Sequence, residues 1–191
     1  MPRAVLGEGG RRCDGARYGL YGNAIHVVQV EDEVAQEIER KFLLSGDDWR
    51  EHADTGQRMR QGYLVGAQRA SIRVRVAGEQ AWLNIKSATL GVERREYEYP
   101  IPLRDAEEML AELCERPQIE KVRYEVPWAG HTWEVDVFEG DNAGLVVAEI
   151  ELGDADEDFE CPPWVGEEVS DDPRYYNVCL IQNPYSQWAA R

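Results

Sequence analysis

Hydrophobic and polar residues alternate with a period of two along most of the chain after residue 35. The alternation runs through eight segments, 36–44, 60–66, 70–77, 80–86, 92–100, 118–127, 131–139 and 144–152. Glycine, proline and aspartate mark many of the short breaks, as in "AGEQ", "ATLG" and "EGDNAG", and these residues are typical of turns. The pattern therefore predicts eight antiparallel strands that close into a β-barrel.

A helical period appears between the fifth and sixth segments, in "LRDAEEMLAELCERP". Four apolar residues recur there at the spacing i, i+3, i+4 and i+7: Ala106, Met109, Leu110 and Leu113. This spacing predicts an amphipathic helix over 105–116. Shorter helices are expected after Ser45 and in "GDADEDFE" and "DPRYYNVCLIQ". The predicted fold class is α+β but mainly β, with a few helices packed outside the barrel.

Residues 1–33 differ from the rest of the chain, because they are rich in glycine and arginine and show no sustained period. Such a composition is typical of segments that do not bury a hydrophobic core. We therefore predict a flexible N-terminal extension over 1–33 and one folded domain over 34–191.

Many charged residues of the predicted strands also lie at alternate positions, so within a strand they share one phase of the period of two and point to the same face. "EIERK" places Glu37, Glu39 and Lys41 on one face, with Ile38 and Phe42 on the other. Like-sign doublets recur in "SIRVRV", "EYEYP", "WEVDVF" and "AEIEL". A sheet with one solvated face has a charged phase as well, so a purely structural barrel is one interpretation. Stacked like charges repel each other, however, and this favours a face that binds ions of opposite charge.

In a closed barrel the charged phase would line the lumen, and the apolar phase would face outward, under the predicted helix. Buried like charges must be paired or neutralised. A divalent cation would neutralise the carboxylates, and a polyphosphate would neutralise the bases. Oxygen ligands favour Mg²⁺ or Mn²⁺. We therefore expect one of these metals together with a polyphosphate.

Composition narrows the choice of partners. The net charge of −16 argues against binding to nucleic acid or to a membrane surface, since both are polyanionic. The four cysteines form no CxxC pair, and no apolar run has the length of a signal or membrane-spanning segment. A cytoplasmic location is expected, and the sequence leaves a homodimer open. Neither a GxxxxGKS/T phosphate loop nor a GxSxG nucleophile elbow is present.

Several blocks of sequence follow one another in an order that is known from one protein family: "EIERKF", "SIRVR", "NIKS", "RREYEY", "EKVRYEV", "VDVF", "VAEIEL" and "DPRYYN". In this order they resemble the CYTH superfamily, also called triphosphate tunnel metalloenzymes, from Gln36 to about Leu180. "RQGYL", "PPWVGEEV" and "RYYN" are most similar to short bacterial members that hydrolyse inorganic triphosphate. The resemblance implies that 34–191 is a CYTH tunnel domain, an eight-stranded antiparallel tunnel open at both ends.

The resemblance also implies roles for individual residues. The metal-site candidates are Glu37, Glu39, Glu149 and Glu151, with Glu96, Glu98 and Asp136 assisting or holding a second ion. The phosphate-binding candidates are Lys41, Arg73, Arg75, Lys86, Lys121, Arg123 and Arg174. Lys41 and Tyr63 match a pair that positions the nucleophilic water in some short bacterial relatives, and they are the catalytic candidates. Packing inside the barrel is the alternative role for Tyr63.

The resemblance implies a small polyanionic substrate, tripolyphosphate or a nucleoside triphosphate. The implied function is metal-dependent hydrolysis of inorganic tripolyphosphate to diphosphate and phosphate, carried out by a phosphoanhydride hydrolase. An adenylyl cyclase or a thiamine triphosphatase on the same scaffold is an alternative, in which Trp82 would stack on the organic group instead of filling the barrel. A non-catalytic module that binds polyphosphate or nucleotide is a further alternative, because it needs the bases without the hydrolysis.

Overall fold

The computed structural model describes residues 36–66, 70–87 and 93–188, so the predicted extension 1–33 lies outside the described residues. The strands of the described part are β1 (Gln36–Leu44), β2 (Gln57–Gly66), β3 (Ala70–Ala77), β4 (Gln80–Ser87), β5 (Glu93–Pro100), β6 (Ile119–Trp128), β7 (His131–Phe138), β8 (Val146–Glu151) and β9 (Val165–Glu168). The helices are α1 (Leu103–Glu112), α2 (Asn177–Leu180) and the 3₁₀ helices Asp48–Glu51, Gly140–Asn142, Pro173–Tyr175 and Tyr185–Gln187. None of these helices is long and apolar enough to cross a lipid bilayer.

The strands pair in antiparallel ladders, as the sequence predicted. Their order is β5-β4-β3-β2-β6-β7-β8-β1-β9. A short ladder of three residue pairs, with Gln36 opposite Arg95 and Ile38 opposite Glu93, also links β1 to β5. The prediction of a closed eight-stranded barrel is thus corrected, in the described residues, to a nine-stranded sheet with this short additional link. The sequence analysis missed β9 because its four residues, "VGEE", do not alternate.

The apolar phase of the strands packs on one side of the sheet. β1 directs Ile38 and Phe42 into a cluster with Trp133 of β7, and β3 directs Val74 and Val76 into a second cluster beneath α1. The charged phase therefore lies on the opposite face, where the period of two placed it.

Helix α1 covers part of this apolar face, as predicted. Ala106 and Leu110 are buried in the cluster that contains Val74, and burying a leucine side chain contributes about 2 kcal/mol. The helix spans Leu103–Glu112 rather than 105–116, so Leu113 lies beyond its last residue and is exposed. The apolar stripe is consequently one residue shorter than the sequence suggested.

Of the three shorter helices predicted from the sequence, two are present and one is not. The 3₁₀ helix Asp48–Glu51 follows Ser45 and is anchored by the fully buried Trp49. Helix α2 forms within the C-terminal segment, whereas "GDADEDFE" is not helical. The charge of this acidic segment is the physical reason, since it offers a helix almost no apolar face to bury.

A glycine on β2 sets the distance between the sheet and the segment that follows α1. A Cβ atom at Gly62 would lie 2.7 Å from Cβ and 2.9 Å from Sγ of Cys114, and 3.0 Å from Cδ2 of Leu110. These distances are shorter than van der Waals contact, so only glycine permits this close approach. Burial raises the pKa of the Cys114 thiol, which therefore stays protonated and packs as a small apolar group.

We expect Gly62→Ala to lower the free energy of unfolding by about 1 to 3 kcal/mol, because the new methyl group must displace Cys114 or Leu110. Urea denaturation followed by tryptophan fluorescence measures the change. Gly46→Ala is the control, since nothing lies within 4 Å of a Cβ there, and it should leave stability unchanged or slightly higher. Unaltered stability of Gly62→Ala would contradict the close packing.

Candidate active site

The charged face of the strands encloses a cavity of about 380 Å³. Each of the strands β1 to β8 contributes to its wall, whose charged residues are Glu37, Glu39, Lys41, Arg73, Arg75, Lys86, Glu96, Glu98, Lys121, Arg123, Glu134, Glu149 and Glu151. Tyr63 lies in the same wall. The structure therefore brings together all the predicted site residues except Asp136 and Arg174.

The register of the strands places acids beside bases in this wall. Lys41 faces Glu149 across the β1–β8 ladder, and Lys86 faces Glu96 across the β4–β5 ladder. Opposite charges at directly facing positions attract each other. The pairing of the backbone thus neutralises part of the cavity before any ligand enters it.

Lys41 is the most enclosed cation of β1, with an exposed fraction of 4%. Its ammonium group donates to the carboxylates of Glu39 and Glu149. Burial opposes the charge on Lys41, but these two carboxylates outweigh it and raise the pKa of the ammonium. Lys41 is therefore protonated at neutral pH, so that it can donate a hydrogen bond but cannot act as a general base.

Glu149 stands between the bases of two strands. It accepts from Lys41 and, at 2.6 Å, from Nη2 of Arg123. Burial alone would favour the protonated acid, but Lys41, Arg123 and Lys121 hold the pKa of the Glu149 carboxyl well below its usual range. The group is consequently ionised and anchors the acidic side of the cavity.

Asp136 has a different position from the predicted one, because it is fully buried and does not line the cavity. It accepts from Nε of Arg123 at 2.8 Å and Nη2 at 2.6 Å, and from the ammonium of Lys121. Burial and the neighbouring Arg123 lower the pKa of Lys121, even though Asp136 favours its charged form. The structure thus corrects the metal-site assignment of Asp136, which instead orients two bases from behind.

A second network joins β1, β3, β4 and β5. Lys86 donates to Glu37 at 2.6 Å and lies 3.1 Å from Glu96. Nη2 of Arg75 donates to Glu98 at 2.6 Å. Asn84, which is fully buried, donates to Glu96 at 2.9 Å and also to Glu98. The amide therefore holds together two carboxylates that would otherwise repel each other.

One carboxylate of the cavity wall, that of Glu151, is surrounded mainly by other carboxylates. Glu151 faces Glu39 across the β1–β8 ladder. Burial raises the pKa of Glu151, and repulsion from Glu37, Glu39 and Glu96 raises it further, against the attraction of Lys86. Like charges gathered in this way are relieved by a cation, and carboxylate oxygens are the ligands that hard divalent cations prefer.

The described residues nevertheless contain no group of three or more acidic, histidine or cysteine residues already arranged around a metal position. The acids turn toward lysines and arginines instead, as the pairs Lys41–Glu39 and Lys86–Glu37 show. The donor chemistry thus fits a divalent cation, while the internal ion pairs occupy the carboxylates.

The catalytic candidates Lys41 and Tyr63 both line the cavity. The ring of Tyr63 also packs in an apolar cluster with Ile119 and Phe138, which is the packing role that the sequence suggested; its catalytic role stays a prediction. The ring centroid of Tyr176 lies 5.9 Å from the Lys41 ammonium. Tyr176 was not among the predicted site residues, although "RYYN" contains it.

Arg174 lies elsewhere, and its assignment to the phosphate site is corrected. Its side chain is exposed, donates to Asp172 from Nε at 3.0 Å, and lies 5.2 Å from the ring centroid of Trp188. It does not line the cavity. The sequence showed that a base follows β9, but it did not show which way that base points.

The sequence analysis also missed residues that line the cavity: Gln61, Ser71, Glu134, Tyr176 and Asn177. Glu134 shares a phase with Asp136, and this signal would have found it. Its carboxyl is bound by Arg123, yet burial keeps its pKa above the ordinary value. Gln61 carries no charge, so the charged pattern of the strands gave no signal for it.

Comparison with known proteins assigns this architecture to a family. The family model described as CYTH domain matches residues 35–176. An inorganic triphosphatase of Acetivibrio thermocellus is 48% identical over 155 residues, covering 81% of this chain and 99% of the relative. An inorganic triphosphatase of Nitrosomonas europaea is 39% identical over 150 residues, covering 75% and 95%. The crystal structure of the inorganic triphosphatase NE1496 matches with a TM-score of 0.56 and 34% identity, covering 76% of this chain and 97% of that one.

The chain belongs to the CYTH domain family. The resemblance found in the sequence is thereby confirmed. Membership implies a divalent cation as cofactor, and the crowded carboxylates around Glu151 are of a type that fits one.

We expect Asp136→Asn to lower the free energy of unfolding by about 3 kcal/mol, because it removes the carboxylate to which the buried Lys121 donates and one of the carboxylates paired with Arg123. Guanidinium denaturation measures the loss. Glu139→Gln is the control, since Glu139 pairs with the exposed Arg58 at 3.0 Å, and exposed pairs contribute less than about 1 kcal/mol. Equal effects of the two substitutions would show that Asp136 does not anchor the bases.

Proposed function

We propose that this protein hydrolyses inorganic tripolyphosphate to diphosphate and phosphate with the help of a divalent cation. The observation that carries the proposal is a single cavity in which bases of β3, β4 and β6 face carboxylates of β1 and β8. Relatives named inorganic triphosphatase support it, because this chain covers 99% and 95% of their lengths.

The bases are proposed to hold the phosphates. The residues concerned are Lys41, Arg73, Arg75, Lys86, Lys121 and Arg123. The Nε atoms of Arg73 and Arg75 are buried and have no hydrogen-bond partner among the described residues. Burial and the like charge of Arg73 lower the pKa of Arg75, although Glu98 opposes this. A polyanion supplies the missing acceptors and relieves the repulsion between the two guanidinium groups.

The acids are proposed to hold the metal. Glu37, Glu39, Glu149 and Glu151 would bind it, with Glu96 and Glu98 beside them. Oxygen-only donors suit Mg²⁺ or Mn²⁺. Such an ion, when bound, neutralises charge on the phosphate oxygens and makes a bound water more acidic.

Lys41 and Tyr63 are proposed to position the attacking water. Because its raised pKa keeps Lys41 protonated, its role is to donate a hydrogen bond to the water or to a phosphate oxygen. The Tyr63 hydroxyl can both donate and accept, and packing of its ring against Ile119 fixes its direction. Orientation of this kind accounts for a large part of phosphoryl-transfer catalysis.

The cavity is proposed to be the substrate channel, with a wall formed by β1 to β8. The three residue pairs between β1 and β5 support this, since they bring these two strands together beside the cavity. Such a wall brings acids and bases from distant parts of the chain within reach of one small substrate.

A nucleotide or thiamine substrate is less well supported. Trp82, the residue considered for stacking on an organic group, does not line the cavity. Its ring centroid instead lies 5.1 Å from the guanidinium carbon of Arg75. The described wall is mainly charged, which suits a substrate made of phosphates alone.

We expect the protein to release phosphate from tripolyphosphate when Mg²⁺ or Mn²⁺ is supplied, and to act more slowly on ATP and thiamine triphosphate. A phosphate-release assay combined with chromatography of the products measures all three reactions. Cyclic AMP as the dominant product from ATP would overturn the proposal in favour of a cyclase. Binding of tripolyphosphate without any release of phosphate would identify a sensor instead.

We expect the double substitution Glu37→Gln and Glu39→Gln to reduce turnover more than about a hundredfold, because two proposed metal ligands are lost. Binding of tripolyphosphate without metal should be kept or strengthened, since Lys86 and Lys41 lose competing carboxylates. Calorimetry measures the binding. Glu160→Gln, in the exposed acidic segment, is the control and should change neither quantity.

Retained turnover in the double variant would show that these glutamates do not hold a required metal. Loss of both turnover and binding, with unfolding at lower temperature, would show that the two glutamates act only as internal partners of the lysines.

A further inference from the structure

Gln61 is an uncharged residue in the middle of the basic part of the cavity wall. It lies on β2 in the same phase as Met59 and Tyr63, and all three line the cavity. Its exposed fraction is 1%, so its side chain is enclosed by protein and by the cavity. The amide group of a glutamine in such a place must form hydrogen bonds, because a buried amide without them lowers the stability of the protein.

The amide nitrogen of Gln61 is not satisfied by the described residues. Nε2 is buried and has no hydrogen-bond partner there. Most buried donors in folded proteins are paired, and an unpaired one in a cavity wall is available to an acceptor that enters the cavity. Leaving such a donor unpaired costs stability, so this glutamine is unfavourable for the unliganded protein.

The surroundings of Gln61 show what kind of acceptor is missing. Gln61 faces Arg75 across the β2–β3 ladder, and the Nε atoms of Arg75 and Arg73 are likewise buried without a partner. This part of the wall therefore holds three unpaired donors on two adjacent strands. A surplus of donors beside two guanidinium groups fits an anion with several oxygens.

Nearby carboxylates already have other partners. Glu98 accepts from Arg75 and Asn84, and Asp136 accepts from Lys121 and Arg123. We therefore expect the ligand, rather than the protein, to supply the acceptor for the amide nitrogen of Gln61.

We infer that Gln61 is a further substrate-binding residue, whose amide N–H donates to a phosphate oxygen of the bound polyphosphate. The inference rests on the proposed function, since it names a contact to the same substrate. An uncharged donor adds a directional hydrogen bond without adding to the repulsion between Arg73 and Arg75. Its contribution should also resist salt, unlike that of a charged residue.

The test replaces Gln61 by methionine, which has a similar volume and no N–H donor, and by glutamate, which has the same shape. Tripolyphosphate binding is measured by calorimetry without metal, at low and high salt, and unfolding of the unliganded protein is followed by temperature. Gln80→Met is the matched control, because Gln80 is exposed on β4 and does not line the cavity.

We expect Gln61→Met to weaken binding roughly tenfold to a hundredfold, the range typical of a hydrogen bond to a charged group. The unfolding temperature of the unliganded protein should be unchanged or higher, because an unpaired buried donor has been removed. The slope of affinity against salt concentration should be the same for Gln61→Met as for the unchanged protein. Gln61→Glu should weaken binding further, because it places a carboxylate among the phosphates, while Gln80→Met should alter nothing.

Affinity of Gln61→Met within twofold of the unchanged protein would overturn the inference. A fall in affinity accompanied by a lower unfolding temperature would also overturn it, since it would show a structural role. If the unchanged protein itself neither binds nor hydrolyses tripolyphosphate, the proposed function fails, and this result is distinct from a failure confined to the Gln61 variants.

Discussion

The mutual neutralisation of acids and bases inside one cavity is the interaction on which the rest of the structure depends. Charges enclosed by protein are costly unless they are paired. Lys41 between Glu39 and Glu149 shows how the cost is offset, because the attraction of the two carboxylates exceeds the effect of burial and raises the pKa of the lysine. Asp136 accepts from Lys121 and Arg123 behind the wall, where it opposes, without outweighing, the effect of burial and of Arg123 that lowers the pKa of Lys121. Without these pairs the charged phase of the strands would have to face bulk water.

The same acid–base pairs would influence which ligands the cavity binds in the proposed function. Each carboxylate that is bound to a lysine or arginine can exchange that partner for a cation, and each base can exchange its partner for a phosphate oxygen. Uptake of a cation by Glu37 would free Lys86 for the polyanion. In the proposed function, binding of the two ligands would therefore be coupled through the internal pairs, in the sense that each makes the other more favourable. The amide nitrogen of Gln61 stands outside this exchange, because it has no partner among the described residues to give up.

Part of the site followed from the alternation of residues alone. A period of two assigns each side chain to a face, so the sequence placed Glu37, Arg73 and Glu149 on one side without any knowledge of the fold. The period does not show how deeply a side chain is buried or which residue it pairs with. Asp136 shares the phase of Glu134 but lies fully buried behind two bases, and the position of Arg174 depends on the 3₁₀ helix Pro173–Tyr175, which is too short to show a period. The strand β9 and the exact end of α1 were missed for the same reason, because short elements are fixed by their neighbours.

The sequence by itself determined which residues are acidic, which are basic and which face of each strand carries them, since side-chain direction along a strand is a local property of the backbone. It also determined, through ordered blocks, the family to which the chain belongs. Only the tertiary structure decided which acid meets which base, because register and strand order join residues such as Lys41 and Glu149 that are distant along the chain. It alone decided that Gln61 is enclosed with an unused donor. Burial and pairing arise from contacts between segments, and no local pattern encodes them.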